Sequence, residues 1–135
     1  MAKVLFVCLH NAGRSQMSEA LFARAAAGRH AARSAGTEPA AAVHPEVVAA
    51  MRELGIDLSQ RIPQLLSDGL AEWADVVVTM GCGDSCPHIP GRRYVDWDLA
   101  DPRGRPLEEV RATRNDIEVR VRDLAAELDD ASQAG

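Results

Sequence analysis

Residues 4–15 read Val4-Leu5-Phe6-Val7-Cys8-Leu9-His10-Asn11-Ala12-Gly13-Arg14-Ser15. A short apolar run ends in a cysteine, an arginine follows six positions later, and a serine comes directly after it. This Cys-x5-Arg-Ser stands where a first buried strand stops and a first helix begins. Such a junction suits a tetrahedral oxyanion. Backbone N–H groups across Leu9, His10, Asn11, Ala12, Gly13, Arg14 and Ser15, converging on a helix N-terminus, can cradle the anion. Arg14 can clamp two of its oxygens through a planar fork. The same positive field favours the thiolate form of Cys8, which makes it a nucleophile. Ser15 can donate a hydrogen bond to that sulfur, and Asn11 can pin the tight turn. The loop lacks the Gly-Lys-Ser/Thr ending of a nucleotide phosphate loop, which disfavours nucleoside triphosphates.

Outward from this loop the chain alternates strands and helices. Lys3–Val7 reads as a buried strand and Ser15–Gly28 as a helix with Met17, Ala20 and Leu21 inward. Ala31–Thr37 is a weak strand. Pro45 opens a helix to about Leu54, with Val47, Val48, Met51 and Leu54 at helical spacing and Gly55 as its stop. Pro63–Trp73 reads as another short helix broken near Gly69. Asp75–Met80, β-branched and apolar on both faces, is the strongest strand. Residues 81–91 form a loop dense in Gly, Cys and Pro, and Arg92–Trp97 is a short strand. A last helix runs from about Leu107 to Leu128 with Val110, Ile117, Val121, Leu124 and Leu128 inward, leaving Asp129–Gly135 frayed. This rhythm predicts one α/β domain over residues 1–135, a parallel sheet with helices on both faces. Ligands of such sheets bind at the strand carboxyl ends, where Cys8, Ser34, Cys82 and Asp101 would share one rim.

Composition narrows the function. With 135 residues, 47% of them hydrophobic, the chain can bury a sizeable core. A net charge of −5 argues against nucleic acid or an anionic membrane as partner. Neither a targeting signal nor a membrane-length apolar stretch is visible, so a cytoplasmic location is expected. Three cysteines are an odd count for a disulfide framework.

Two further elements carry chemistry. A sulfur nucleophile needs a proton donor for the departing oxygen. Asp101-Pro102 supplies one, and Trp97 nearby could help it keep its proton; Asp96 and Asp98 are alternatives without a following proline. Cys82-Gly83-Asp84-Ser85-Cys86-Pro87-His88 holds two thiols four positions apart. They can act as a redox pair, resolve an intermediate on Cys8, sit inert in the loop, or with His88 ligate a metal, although three ligands fall short of a structural zinc site.

These residues together resemble the low-molecular-weight protein tyrosine phosphatase superfamily: Cys8-x5-Arg14-Ser15 near the N-terminus, Ser34-Ala35-Gly36-Thr37 and a late Asp101-Pro102. Arg14-Ser15-Gln16-Met17, Thr79-Met80-Gly81-Cys82-Gly83-Asp84 and Cys86-Pro87 look like its arsenate reductase branch. The resemblance implies a four-stranded parallel sheet of order 2-1-3-4 and chemistry with no bound metal or nucleotide. It implies arsenic detoxification in which Cys8 attacks arsenate, Arg14 and the loop amides hold its oxygens, and Asp101 protonates the leaving oxygen. Phosphate and sulfate would compete as oxyanions. A second thiol then releases arsenite: Cys82 and Cys86 with thioredoxin as external reductant, or free mycothiol with mycoredoxin, the latter an arsenate–mycothiol transferase. A monovalent-cation site of some members maps to Asn11, Glu19 and Ser34, but Gln64 stands where an Asp ligand is expected. The alternative is a phosphotyrosine phosphatase using Cys8, Arg14 and Asp101 with water as second nucleophile. Such enzymes tend to carry Tyr after the Asp-Pro, where this chain has Arg103.

Overall fold

The apolar alternation of Val4, Phe6 and Cys8 against Leu5 and Val7 divides the first strand between two cores. A computed structural model describes residues 1–81 and 92–134. Within them, β1 (Lys3–Cys8) lies at the centre of a parallel sheet, between β2 (Ala31–Gly36) and β3 (Val76–Thr79), with β4 (Arg93–Asp96) beyond β3. The strand order is β2-β1-β3-β4, as the resemblance implies. Both central strands are buried on two faces, which is why they read as continuous apolar runs.

The larger core lies under α1 (Arg14–Ala26), α2 (Pro45–Arg52) and α4 (Leu107–Ala134). Val110, Ile117, Val121, Leu124 and Leu128 of α4 are all buried there, as their spacing predicts. Phe6 packs between Phe22 and Trp97, with ring centroids 5.6 and 5.9 Å away, contacts worth roughly 0.5–1.5 kcal/mol each beyond their area. The smaller core, on the other face, joins Leu5, Val7, Ala35, Ala74 and Val77 to the short helix α3 (Asp68–Trp73). Helices therefore flank both faces. No helix among the described residues is long and apolar enough to cross a membrane.

Two expectations are corrected. Residues 63–67 are not helical: Leu65 bridges Gly36 at the edge of β2, and α3 begins only after Ser67, whose hydroxyl accepts from Leu70 N–H at 3.2 Å. Gly69 lies within α3 and does not break it. The last helix runs past the expected end at Leu128, and α4 continues to Ala134. Asp129 accepts from Arg29 Nε at 2.9 Å and from buried His30 at 2.8 Å, tying the helix to the turn before β2. The loop at 82–91, with Cys82, Cys86 and His88, lies outside the described residues.

Candidate active site

The chain leaves β1 at Cys8 and enters α1 at Arg14, and five residues must make the turn with their N–H groups inward. The next loop achieves this by taking the carbonyls. Thr37, Glu38, Ala40 and His44 donate backbone N–H bonds to the carbonyls of Cys8, Leu9, His10 and Ala12, at 3.3, 2.7, 2.9 and 3.0 Å. With those carbonyls held outward, the amides are left for an anion. Gly13 stands at the N-cap of α1 and offers no side chain to the first-turn N–H groups. Gly36 lets the two loops touch, since a Cβ there would meet Leu9 O at 2.8 Å and Asn11 N at 2.9 Å.

Asn11 takes the left-handed conformation (φ 50°), one that Asn tolerates better than most residues. Its Oδ1 accepts from Gln64 backbone N–H at 2.9 Å and from Gln16 Nε2 at 3.1 Å. A backbone N–H can only donate, so the amide orientation is fixed and Nδ2 faces Ser15 Oγ, to which it donates at 2.7 Å. That bond leaves the Ser15 hydroxyl proton for Cys8 Sγ, 2.9 Å away. Asn11 N–H also points at the sulfur, at 3.3 Å. Cys8 is 2% exposed, so its sulfur lies at the base of the turn with two donors aimed at it.

Arg14 is buried, its Nη1 donating to Leu99 O at 3.3 Å and its Nη2 lying 3.7 Å from Asp101 Oδ2. Gly81, at φ +80°, passes beneath this guanidinium, and a Cβ there would fall on Arg14. Asp101 Oδ1 accepts from Arg103 N–H at 3.0 Å, closing a small turn around Pro102. Pro102 lies against Gly13, which brings the carboxylate over the mouth of the loop. Asp101 is half-exposed and has Arg14 as neighbour, while Trp97 packs on Phe6; the expected apolar shelter for the acid is not what the fold provides.

The rim is imidazole- and guanidinium-rich. His10 Nδ1 donates to Glu38 O at 2.9 Å, and Arg103 Nη1 lies 3.5 Å from its Nε2. His44 stands edge-on to His10, ring centroids 6.5 Å apart. Burial pushes the His44 imidazole below its ordinary range, with Glu46 and Asp101 pulling it partly back.

The fold thus brings together Cys8, the loop Leu9–Ser15 and Asp101, and places Ser34 nearby on β2. Asp96 is occupied by the Thr79 hydroxyl at 2.8 Å, and Asp98 offers its carbonyl to Arg120. Sequence reading missed Gly81, the Leu99 carbonyl and the carbonyl-taking segment 37–44. Only Gly81 left a trace, as a glycine directly after a strand.

A buried sulfur, an amide-lined turn, an arginine and an offset carboxylate can bind an oxyanion and attack it from one side while protonating the other. The model of the low molecular weight phosphotyrosine protein phosphatase family matches residues 3–134. The chain belongs to that family. Within reach of this family chain lies the glutaredoxin arsenate reductase of Synechocystis sp., 38% identical over 131 residues, or 95% of this chain and 99% of the relative. The thioredoxin-dependent arsenate reductase of Corynebacterium glutamicum superposes with a TM-score of 0.82 at 37% identity; 97% of this chain is matched, which spans 63% of that longer chain. The YwlE arginine phosphatase of Geobacillus stearothermophilus superposes with a TM-score of 0.86 at 25% identity, over 99% and 97% of the two chains. Proteins named as arsenate reductases and one named as a phosphatase therefore share this scaffold.

Proposed function

We propose that this protein is an arsenate reductase. The observation that carries the reading is the pair of donors, Ser15 Oγ and Asn11 N–H, aimed at the buried Cys8 sulfur beneath Arg14. In this reading the Cys8 thiolate attacks the arsenic of arsenate. A sulfur–arsenic bond forms, an arsenic–oxygen bond breaks, and Asp101 gives its proton so that the oxygen leaves as water. Arg14 and the loop amides hold the remaining oxygens as charge builds on them.

A second thiolate then attacks Cys8 Sγ. The sulfur–sulfur bond forms as the sulfur–arsenic bond breaks, the bonding pair stays on arsenic, and arsenite leaves two electrons richer. We assign that thiol to Cys82, with Cys86 displacing Cys8 to give a Cys82–Cys86 disulfide that thioredoxin reduces. The thioredoxin-dependent relative at 37% identity supports this route over mycothiol with mycoredoxin. The name of the Synechocystis relative makes a glutaredoxin the competing partner. Two loop thiols have no use in a hydrolysis, and Arg103 stands where phosphatases of the family tend to carry tyrosine. Both points favour reduction over the phosphatase reading that the YwlE superposition raises.

The test is arsenite production from arsenate, assayed side by side with thioredoxin, mycothiol/mycoredoxin and glutathione/glutaredoxin systems. Turnover with thioredoxin that is lost in Cys82→Ser and in Cys86→Ser is expected. Hydrolysis of an aryl phosphate with no arsenite from any system would replace the reading with the phosphatase. Full thioredoxin-driven activity in both loop variants would overturn the resolving role of Cys82 and Cys86.

A further inference from the structure

Beneath the phosphate loop, Glu19 of α1 presents a carboxylate that is almost wholly buried. An unpaired charge in such a place is strongly unfavourable, so something must neutralise it. The monovalent-cation site of some family members would fall here, and the oxygens available show whether one fits. Glu19 Oε1 accepts from the Ser34 hydroxyl at 3.0 Å, and Oε2 is paired with Arg61. Ser34 O accepts from Gln64 Nε2 at 2.7 Å, and Asn11 Oδ1 already takes two N–H bonds. Gln16 Oε1 is a buried oxygen without a partner here, and one such atom does not make a cation cage. The residues do not fit an alkali-metal ion.

We propose that Arg61 is the built-in counter-charge of the phosphate-loop scaffold. Its guanidinium neutralises Glu19 and thereby fixes a relay that ends at the nucleophile. Glu19 holds the Ser34 hydroxyl, Gln64 spans from Ser34 O to Asn11 Oδ1, and Asn11 aims Ser15 at Cys8 Sγ. Arg61 reaches in from the irregular segment before α3, and its side chain is 44% exposed while that of Glu19 is 12%. It is a positioning residue: it touches neither the sulfur nor the oxyanion, and it makes the loop independent of potassium. The proposal concerns the sulfur and its turn and goes beyond the reductase reading.

Two assays run in parallel on the full chain, with thermal denaturation as the fold check. One is arsenate turnover in potassium or in tetramethylammonium buffer at equal ionic strength. The other is the rate at which iodoacetamide alkylates Cys8, read from the mass of the Cys8 peptide, which needs no reductant. The native chain should behave alike in both cations. Arg61→Ala should slow Cys8 alkylation and turnover by about tenfold, the scale of a small misplacement of a reacting atom. Arg61→Lys should restore most of the loss. Because Arg61→Ala alone leaves a buried charge and can fail to fold, Glu19→Gln/Arg61→Ala removes both charges and should recover alkylation near the native rate. Severalfold activation of the native chain by potassium overturns the proposal. So does native alkylation in a folded Arg61→Ala variant, or no recovery in the double variant. Arg61-dependent alkylation in a chain that yields no arsenite would leave this proposal standing and remove the reductase reading instead.

Discussion

Pro102 rests on Gly13: a Cβ built on that glycine would come within 3.0 Å of Pro102 Cγ. The loop assigned to the oxyanion and the segment that carries the proposed proton donor are therefore in van der Waals contact, and the residue between them must be the smallest. Gly13→Ala should push the Asp101-Pro102 turn off the mouth while leaving the fold intact. The expected loss in arsenate turnover is on the order of tenfold to a hundredfold, the scale of a displaced catalytic group. Steady-state kinetics beside a thermal melt would show it. Unchanged kcat/KM would mean that the contact has no bearing on Asp101.

Ser15 joins Asn11 to Cys8. Ser15→Ala removes the donor to the sulfur and strands Asn11 Nδ2 in a buried site, at a cost of about 1–3 kcal/mol. Denaturant unfolding should register that loss, and iodoacetamide should alkylate Cys8 more slowly at neutral pH. Stability equal to the native chain would contradict the described orientation of the Asn11 amide.

Gly81 lies under Arg14 at φ +80°. Gly81→Ala is strained by its backbone and directs a methyl group at the guanidinium. Loss of a charge-assisted bond of about 1.5–3 kcal/mol translates to roughly a ten- to hundredfold fall in kcat/KM for arsenate. Sulfate protection of Cys8 against alkylation should weaken in parallel, because both anions use the same arginine. Protection that is undiminished in the variant would show that Arg14 is held elsewhere.

Glu53, just past α2, receives hydrogen bonds from Arg111 and Arg114 of α4, and these hold its carboxyl down at about 2, from an unperturbed 4.5. A depressed folded value means that the carboxylate stabilises the fold above the unfolded value and that this contribution disappears as the pH falls from 4.5 through about 2. Glu53→Gln should therefore be less stable than the native chain at pH 7 and show a shallower loss of stability across that acid window. Urea unfolding at a series of pH values measures both slopes, and parallel curves would refute the linkage.

The elements that sequence reading placed well are those whose signal is local. The apolar runs of β1 and β3, the inward spacing of α4, and the Cys8–Ser15 loop each declare themselves within a dozen residues. What it misplaced depends on partners far along the chain. The chain end at Asp129 reads as a frayed tail until Arg29 and His30, about a hundred positions earlier, donate to its carboxylate. Residues 63–67 look helical by spacing, yet Leu65 finds the edge of β2 and Gln64 finds Asn11. Ser67 was a readable cap, the one local clue that α3 starts late. At the candidate site, the side chains proposed to meet substrate are legible by type and spacing. The scaffold behind them, made of backbone amides from Thr37 to His44 and the Leu99 carbonyl, has no side-chain signature to read.

The most direct measurement of the central claim is arsenite formed per enzyme molecule with excess arsenate, thioredoxin, thioredoxin reductase and NADPH. The native chain should keep producing arsenite, one for each NADPH oxidised, long after every enzyme molecule has turned over, and Cys8→Ser should produce none. A yield that stops at one arsenite per enzyme, or a Cys8→Ser variant that continues, would contradict an attack by this sulfur on a pentavalent oxyanion.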